Sequence, residues 1–323
     1  MSGDDRNGGG PRAIRLSTRV DPYHDGWRLS DYLAHRFRYL DAATWAARLA
    51  AGSISVNGAP GRPETPVGRG DLVEYEVLVV EPPVDFSYEV LHDDEDVVAV
   101  SKSGNIPCHA GGSYFTHTLV ARVRADLGRP LDLAHRLDRE TSGVVVLAGN
   151  REAARALSGA FARGEVAKEY VAAVRGEPSC DAFEVDAPIA PAGRDCPVAR
   201  RVVDRERGRP ARTLFRVESR RGGFAVVRAD PLTGRTHQVR LHLEHAGHPI
   251  VGDKIYGMPP DLLLESVRNP AAPRVLEHLL LPRHALHAAR LEFLHPRTGR
   301  LLTLEAFLPA DMMEFIAGID RHR

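Results

Sequence analysis

The chain has 323 residues, with 43 basic and 43 acidic side chains, 43% hydrophobic residues and a mean hydropathy of −0.26. These values are typical of a globular protein with one large domain or two unequal ones, and they exclude a peptide-scale binder. No apolar run approaches the roughly 18 residues of a membrane span and the start lacks the apolar core of a secretion signal, so we expect a cytoplasmic protein.

The N-terminal part of the chain predicts a disordered tail followed by a small module of helices and strands. Residues 1–14 are rich in Gly and Asp, which disfavours a packed structure. Residues 15–81 carry apolar side chains first at helical spacing and then around the hairpin signal Asn57-Gly58. The predicted elements are a first helix capped by Ser30, a second helix over 42–50 that closes at Gly52, a strand at 54–56 and a returning strand over 71–80.

Adjacent prolines separate this module from a larger domain. Pro82 and Pro83 end the preceding strand and favour extended backbone, so residues 82–87 predict a stiff linker. Residues 88–323 mix strands and helices without regular alternation, which favours an α+β domain over a doubly wound sheet. The predicted elements are buried strands at 97–100 and 144–148, a helix between Asn150 and Gly164, strands at 168–176, 213–218 and 224–229, a helix over 236–246 and a strand at 301–307.

Asp138 is the first candidate for chemistry. It lies in a short polar segment that leads through Thr-Ser-Gly into the apolar run 144–148. A carboxylate at the mouth of a buried strand is rigidly aimed and partly desolvated, which suits a nucleophile or a general base. Ordinary turn chemistry explains the same residues, and the local pattern alone favours the turn.

Arginine is concentrated in one part of the second domain. Residues 193–221 contain ten Arg and four acidic residues, whereas residues 85–96 contain six acidic residues and no Lys or Arg. A basic surface that contacts phosphates is one interpretation of the Arg-rich stretch, and a solvated loop is an equally good one.

The segment 233–257 is the longest informative stretch of the sequence, and it predicts a turn followed by a helix with one apolar face. Gly234 permits a tight turn, Thr236 can cap a helix, and Arg240 points away from the buried face of that helix. The buried face consists of Val239, Leu243 and Ala246.

Histidines in this segment raise the question of a metal site. His237, His242, His245 and His248 are spaced by five, three and three residues, and no acidic or thiolate ligand completes a metal pattern. The three cysteines are too widely spaced for a thiolate site or a disulfide framework. We therefore expect no metal, and a helix with solvated His and Arg side chains is the better alternative.

Three segments of the chain carry distinctive motifs, in this order: His-Arg-Leu-Asp-Arg-Glu-Thr-Ser-Gly at 135–143, Lys-Glu-Tyr at 168–170 and Gly-Arg-Thr-His-Gln-Val-Arg-Leu-His at 234–242. Together they resemble the RluA-type family of RNA pseudouridine synthases. A fourth segment, from Arg283 to Ala288 and on to Pro296 and Gly299, is similar to the last connection of that family. The resemblance covers roughly 88–310, and residues 15–81 are similar to an S4-type RNA-binding domain. It implies an α+β pseudouridine synthase fold: a mixed, mainly antiparallel sheet with a central RNA-binding cleft, after an S4-like module.

The resemblance also implies a role for each site residue. Asp138 matches the nucleophile, Arg240 its cationic partner, and Tyr170 the aromatic residue that stacks on uracil and helps to remove the C5 proton. Arg136 matches the residue that braces the flipped nucleotide. The remaining residues that the resemblance places in contact with RNA are His135, Lys168, Arg235, His237 and Gln238.

The implied reaction is the isomerisation of uridine to pseudouridine in structured ribosomal or transfer RNA. It requires no cofactor and no metal, and the family resemblance implies a monomer. Two alternatives stay open on the sequence: a catalytically silent RNA-binding or assembly protein, and a metal-dependent hydrolase that uses the histidines.

Overall fold

The computed structural model describes residues 12–37, 40–193 and 196–321. The chain divides into two compact units, with the division between Pro83 and Val84. The predicted linker spans this division, yet Val84 is buried in a core cluster of the second unit because its apolar side chain packs with the first strands there. In the described ranges, no helix is long and apolar enough to cross a membrane.

The first unit is a small sheet packed against two helices. Its elements are β1 (Arg12–Arg19), a 3₁₀ turn (Pro22–His24), β2 (Trp27–Arg28), α1 (Leu29–Arg36), α2 (Ala42–Ala50), β3 (Ile54–Val56), β4 (Ala59–Pro60), β5 (Pro66–Val67) and β6 (Leu72–Val79). Strands β1, β6, β3 and β4 pair antiparallel in that order, and β2 pairs with β5. One core joins the two layers: Tyr32 and Leu33 of α1 and Trp45 of α2 share it with Ile54 and Val73 of the sheet.

The tail prediction is wrong at its C-terminal end. Residues 12–14 belong to β1, because the backbone there pairs with β6 and the side chain of Ile14 packs against the core. The rest of the predicted tail, residues 1–11, lies outside the described residues.

The predicted cap of the first helix is also wrong. Helix α1 begins at Leu29, one residue before Ser30, and no side chain caps it. The amides of Leu29 and Ser30 donate instead to the carbonyl oxygens of Thr65 at 2.8 Å and Pro63 at 3.2 Å. A distant loop thus satisfies the free amides of the helix end, which a local cap would otherwise do.

The second unit is one large sheet flanked by helices. Its elements are β7 (Tyr88–Asp93), β8 (Val97–Lys102), α3 (Leu119–Leu127), β9 (Asp132–Leu133), β10 (Ser142–Ala148), α4 (Arg151–Arg163), β11 (Ala167–Arg175), β12 (Ala182–Asp186), β13 (Ile189–Pro191), β14 (Arg201–Val203), β15 (Arg212–Arg221), β16 (Phe224–Pro231), α5 (Gln238–His245), α6 (Pro260–Arg268), α7 (Pro273–Leu279), β17 (Leu286–Leu294), β18 (Leu301–Glu305) and α8 (Ala310–Arg321). The main sheet has the order β12-β15-β16-β11-β17-β10-β8-β7, with β18 beside β17 and β9 beside β10. The β10–β17 pair is parallel and the other pairs of this sheet are antiparallel, so the predicted α+β class with a mixed, mainly antiparallel sheet is confirmed.

Strand β10 lies at the centre of the packing. All of its residues are buried, and they alternate between two cores. Val145 and Leu147 pack in the cluster that contains α3, whereas Val144 and Val146 pack in the cluster that contains α4. Since successive side chains of a strand point to opposite faces, burial of both faces fixes the segment that precedes β10 firmly in place.

Helix α4 has the limits that the sequence predicts. The side chain of Asn150 accepts a hydrogen bond from the amide of Ala153 at 2.9 Å, and Gly164 ends the helix with a φ of 75°. Both are local signals that act within one helical turn, which is why the sequence predicts these limits correctly.

Candidate active site

An open cleft of about 620 Å³ lies in the second unit, a volume within the range of small-molecule sites. Every site residue that the sequence analysis names lines this cleft. They are His135, Arg136, Asp138, Lys168, Tyr170, Arg235, His237, Gln238 and Arg240. The structure thus brings together residues from three separate segments of the chain.

Asp138 lies on the loop between β9 and β10. The amide of Thr141 donates to the carbonyl oxygen of Asp138 at 3.2 Å, so the turn predicted around this aspartate is present. The loop is anchored by a hydrogen bond between the hydroxyl of Thr141 and Nε2 of His284, at 2.7 Å. Gly143 then allows a close approach to β17: it has a φ of 111°, and a Cβ there would lie 2.2 Å from the carbonyl oxygen of Ala288. The turn therefore holds the carboxylate in a fixed position.

Arg240 on α5 connects two carboxylates. Its Nη1 donates to Oδ2 of Asp138 at 2.8 Å, while its Nε and Nη2 donate to the two oxygens of Asp253 at 2.6 and 2.8 Å. Oδ1 of Asp253 also accepts the amides of Ile255 at 2.9 Å and Tyr256 at 3.0 Å. The side chain of Asp253 is 0% exposed and that of Asp138 is 22% exposed. One guanidinium is therefore held from behind by a buried carboxylate and presented to a carboxylate that faces the cleft.

The charges of this cluster keep both carboxyl groups ionised. Burial raises the pKa of Asp138, but the charge and the hydrogen bond of Arg240 act against it, and the net result is a pKa below the usual value of 3.8. Burial likewise opposes ionisation of Asp253, and the charge and hydrogen bonds of Arg240 again lower its pKa. At neutral pH, Asp138 is therefore an anion on the cleft wall, ready to act as a nucleophile or base.

Tyr170 lies on β11 opposite Ala288 of β17 and Ala229 of β16. Its ring is half-buried and lines the cleft between two core clusters. Burial, followed by the charge of Asp138, raises the pKa of Tyr170 well above its usual value of 10.0. The side chain is therefore a neutral phenol at physiological pH and presents a flat apolar surface to the cleft.

His237 precedes α5 in a left-handed backbone conformation with a φ of 59°. The sequence predicts Thr236 as the cap of this helix, and that prediction is wrong, because His237 takes the N-cap position without a side-chain cap bond. Its Nδ1 lies 3.0 Å from the hydroxyl of Tyr256, and its Nε2 lies 3.8 Å from Oδ2 of Asp138. Non-glycine residues rarely adopt a positive φ, and such strain is concentrated at functional sites.

The side chains of His135 and Gln238 form hydrogen bonds within the protein. Nε2 of His135 accepts the amide of Val146 at 3.1 Å, and its ring stacks on Phe161 with the ring centres 4.4 Å apart. The side-chain amide of Gln238 accepts from the hydroxyl of Thr233 and the amide of Arg235, and donates to Arg212 and Thr213. These contacts shape the cleft wall, and they occupy both the oxygen and the nitrogen of the Gln238 side chain.

Three of the named residues form a basic rim. Nζ of Lys168 donates to the carbonyl oxygen of Thr233 at 3.3 Å, and Nε of Arg235 donates to that of Pro210 at 3.0 Å. Arg136 is exposed and donates to Nε2 of His109 at 3.1 Å. None of these three contacts is with a carboxylate, so the charges stay available to phosphate groups.

The Arg-rich stretch 193–221 contains β14 and the whole of β15, so much of it is strand rather than loop. The solvated-loop interpretation is therefore wrong for these strands, and several of the arginines are paired with acids of the protein. Five of its arginines form ion pairs with nearby acids: Arg200 with Glu244, Arg207 with Asp204, Arg212 with Glu184, Arg216 with Glu169 and Asp230, and Arg220 with Asp181. Arg209 is the member of this stretch that lines the cleft.

Two of the histidines in the segment 233–257 have hydrogen-bond partners within the protein. Nδ1 and Nε2 of His242 bond to the hydroxyl of Thr213 and the carbonyl oxygen of Ala187, at 2.8 and 3.0 Å. His248 bonds to the carbonyl oxygen of Arg175 at 3.2 Å. His242 and His248 are thus directed to different protein groups and do not share a metal position.

A second group of possible metal ligands lies away from the cleft. Among the described residues, His92, Asp94 and His295 place ligand atoms within 4.8 Å of one another. Nδ1 of His295 accepts the amides of Arg297 and Thr298, both at 3.3 Å, which places the ring proton on Nε2, and Nε2 lies 3.0 Å from Oδ2 of Asp94. A metal would need the lone pair of that nitrogen, so the group fits a hydrogen-bonded clamp between two hairpins better than a metal site.

Sequence reasoning missed Asp253 and Tyr256. Both lie in the segment 233–257, in the run Gly-Asp-Lys-Ile-Tyr-Gly that follows α5. A buried Asp thirteen residues after an Arg carries no local periodic signal. Their roles become visible only once the chain turns back on α5.

The comparisons with known proteins agree with this geometry. A family model described as RNA pseudouridylate synthase matches residues 96–245. The ribosomal large subunit pseudouridine synthase C of Pasteurella multocida (strain Pm70) is 30% identical over 95% of this chain and 94% of its own length. The protein of the same name from Escherichia coli (strain K12) is 32% identical over 87% of this chain and 89% of its own length.

A solved structure shows the same relationship. Human RNA pseudouridylate synthase domain containing 4 matches with a TM-score of 0.55 and 28% identity, covering 72% of this chain and 92% of that chain. The predicted resemblance is thus confirmed for the catalytic domain, and a catalytically silent RNA-binding protein is not favoured. The chain belongs to the RluA-type family of RNA pseudouridine synthases, enzymes that isomerise uridine to pseudouridine in RNA.

Proposed function

We propose that this enzyme isomerises specific uridines of structured ribosomal RNA, with Asp138 as the nucleophile. The observation that carries the proposal is the bridge in which Arg240 holds Asp138 at 2.8 Å while the buried Asp253 holds Arg240. This bridge keeps an ionised carboxylate aimed into a cleft that accommodates a nucleoside.

The chemistry follows from the residues on the cleft wall. Asp138 attacks C1′ of the ribose or takes a proton from the sugar, the glycosidic bond to N1 breaks, and the freed uracil turns and bonds again through C5. Tyr170 stacks on the uracil; its raised pKa keeps the phenol neutral, which favours stacking over proton removal as its role. Arg136, exposed on the rim beside Asp138, braces the nucleotide that has to leave its helix to reach the cleft.

The RNA class is inferred from relatives and from charge. The curated relatives are named for the ribosomal large subunit, which favours ribosomal RNA over transfer RNA. Lys168 and Arg235 would hold phosphates, together with Arg209, whose charge acts on Arg235 from close by. The predicted S4-like module, residues 15–81, would add RNA contacts of its own, although its eight Arg are balanced by nine acids.

We further propose that the enzyme acts as a monomer in the cytoplasm without a metal or cofactor. The reaction transfers no electrons to an external acceptor, and the uracil that leaves N1 is the group that returns through C5. Asp138 and Arg240 supply the charges that such a reaction needs.

The central test replaces Asp138 with Asn, which keeps the shape of the side chain and removes its charge. Asp132→Asn is the matched control, because Asp132 lies on β9 in the same loop region but is exposed and pairs with Arg124. Tritium release from ribosomal RNA labelled at C5 of uridine should fall at least about 10³-fold in Asp138→Asn and stay unchanged in Asp132→Asn. Comparable release from the two variants would refute the nucleophile assignment.

The RNA class has a separate test. Pseudouridine mapping across all cellular RNA, with and without this gene, should show missing sites in large-subunit ribosomal RNA. Sites lost from transfer RNA alone would reject that substrate and keep the reaction.

A further inference from the structure

One nitrogen in the cleft has a proton and no acceptor. Nε2 of His237 lies 3.8 Å from Oδ2 of Asp138, beyond hydrogen-bond distance. Within the described part of the chain, no other group bonds to this nitrogen, and the side chain is 15% exposed. A polar atom in this position is directed to whatever occupies the cleft.

The proton on Nε2 is assigned by the contacts of Tyr256. The backbone amide of Arg201 donates to the hydroxyl oxygen of Tyr256 at 2.9 Å. The hydroxyl keeps its own proton, since burial raises the pKa of Tyr256 to about 12. The nearest partner for that proton is Nδ1 of His237, at 3.0 Å. If Nδ1 carried the proton instead, the hydroxyl proton of a side chain that is 1% exposed would be left without a partner, at a substantial cost.

His237 is therefore a neutral imidazole whose only proton is on Nε2. The charged and titratable groups around it are Asp138 and Asp253, which favour the imidazolium form, and Arg240 and Arg201, which oppose it. Burial is the largest influence on its pKa and lowers it, so the ring stays neutral at physiological pH. The guanidinium of Arg240 also lies 5.0 Å from the ring centre of Tyr256, which holds the phenol in place.

The reaction creates a negative charge next to this donor. When the N1–C1′ bond breaks, its electron pair stays with the uracil and is shared by N1, O2 and O4. Asp138 either bonds to C1′, or takes the C2′ proton while the C2′–H electrons form a C1′=C2′ double bond. Both routes expel uracil as an anion, and O2 is the uracil oxygen nearest to C1′. A donor beside Asp138 is therefore beside O2.

We infer that His237 is a catalytic residue that donates a hydrogen bond from Nε2 to O2 of the departing uracil, and that Tyr256 is the positioning residue that fixes its tautomer. This inference rests on the proposed function of Asp138. A preorganised donor aimed at a developing oxyanion acts more strongly in the transition state than in the ground state, so it raises kcat rather than affinity. The strained backbone of His237 is the conformation that directs the ring to this place.

Kinetics of two matched variants test the donor. His237→Gln places an amide N–H near the position of Nε2, whereas His237→Met fills similar space without a donor. Both new residues are unbranched, so the backbone strain at a φ of 59° should destabilise the two variants equally. In single-turnover reactions with ribosomal RNA, His237→Met should lose on the order of 10²-fold in rate with unchanged RNA affinity, and His237→Gln should recover most of it. Equal rates in the two variants, or a rate in His237→Met within about threefold of the unchanged enzyme, would overturn the inference.

Nuclear magnetic resonance tests the tautomer without reference to activity. In the full chain labelled with ¹⁵N-histidine, the His237 signals, assigned by their loss in His237→Gln, should show a neutral ring protonated at Nε2 at pH 7.5. A ring protonated at Nδ1, or a charged ring, would reject the donor. Tyr256→Phe should give a mixture of tautomers, and an unchanged spectrum would reject the role of Tyr256.

The nucleophile variant keeps this inference separate from the proposed function. If Asp138→Asn is inactive while His237→Met is fully active, only the donor is refuted. If Asp138→Asn is active, the proposed function fails as well.

Discussion

Replacing Asp253 with Asn should destabilise the second unit severely, although this residue contacts no substrate. The asparagine keeps Oδ1, which accepts the amides of Ile255 and Tyr256 and Nη2 of Arg240. In the unchanged protein, Nε of Arg240 donates to Oδ2 of Asp253 at 2.6 Å. The asparagine places an NH₂ group at the position of that oxygen. Two donors then face each other, and a guanidinium that is 6% exposed loses its buried counter-charge.

The magnitude follows from burial. Removing one partner of a buried ion pair costs about 3–5 kcal/mol, because the remaining charge is left desolvated. With a denaturant slope of about 2–3 kcal/mol/M, this loss lowers the urea midpoint by about 1–2.5 M. Activity should also fall, because Arg240 loses the contact that holds it against Asp138.

The chain offers a control with the same chemistry at the surface. Arg212 donates from Nε and Nη2 to the two oxygens of Glu184, at 2.6 and 2.8 Å, as Arg240 does to Asp253. There, however, the two side chains are 50% and 38% exposed. Glu184→Gln should therefore cost less than about 1 kcal/mol.

The assay has to report on the correct unit. Trp27 and Trp45 are the tryptophans of this chain, and both lie in the first unit, so their fluorescence reports its unfolding. Urea unfolding followed by hydrogen exchange of peptides from β10 and β11 reports on the second unit. Similar midpoints for Asp253→Asn and Glu184→Gln would refute the argument that burial, rather than pair geometry, sets the strength of this contact.

Three further outcomes are expected. Gly143→Ala should lower stability by more than about 2 kcal/mol, because its Cβ would lie 2.2 Å from a carbonyl oxygen of β17, whereas Gly111→Ala, with open space, should be neutral in thermal melts. Burial lowers the pKa of His284 and of His287 to about 4, so both rings have to stay neutral in the folded protein. The free energy of unfolding, measured with urea, should therefore be constant above pH 6.5 and fall between pH 6.5 and 4 by up to about 3 kcal/mol for each ring. A flat profile, or one that His287→Gln leaves unchanged, contradicts this. Lys168→Met should reduce the salt dependence of RNA binding by about one phosphate contact in a filter-binding titration, and an unchanged slope would exclude a phosphate contact.

The sequence predicts well what is decided within a few residues. The limits of α4 follow from Asn150 and Gly164, and the turn at Asp138 follows from the polar residues beside it. The contact between Asp138 and Arg240 joins residues 102 positions apart, and only the family resemblance predicted it. The predicted cap of α1 was wrong because a distant loop supplies the carbonyl oxygens that accept its first amides, and no spacing within the helix reveals that loop.

Asp138 and Asp253 show why residue type alone does not assign a role. Both bond to the guanidinium of Arg240, and both are ionised. The oxygens of Asp253 accept hydrogen bonds from Arg240 and two backbone amides and are fully buried, so this carboxylate has no capacity left for a substrate. Asp138 accepts through Oδ2 alone, and among the described residues Oδ1 has no donor. An anion with one oxygen stabilised and the other without a donor suits attack, so the distribution of donors, which exists only in the folded chain, separates the proposed nucleophile from the group that holds its partner.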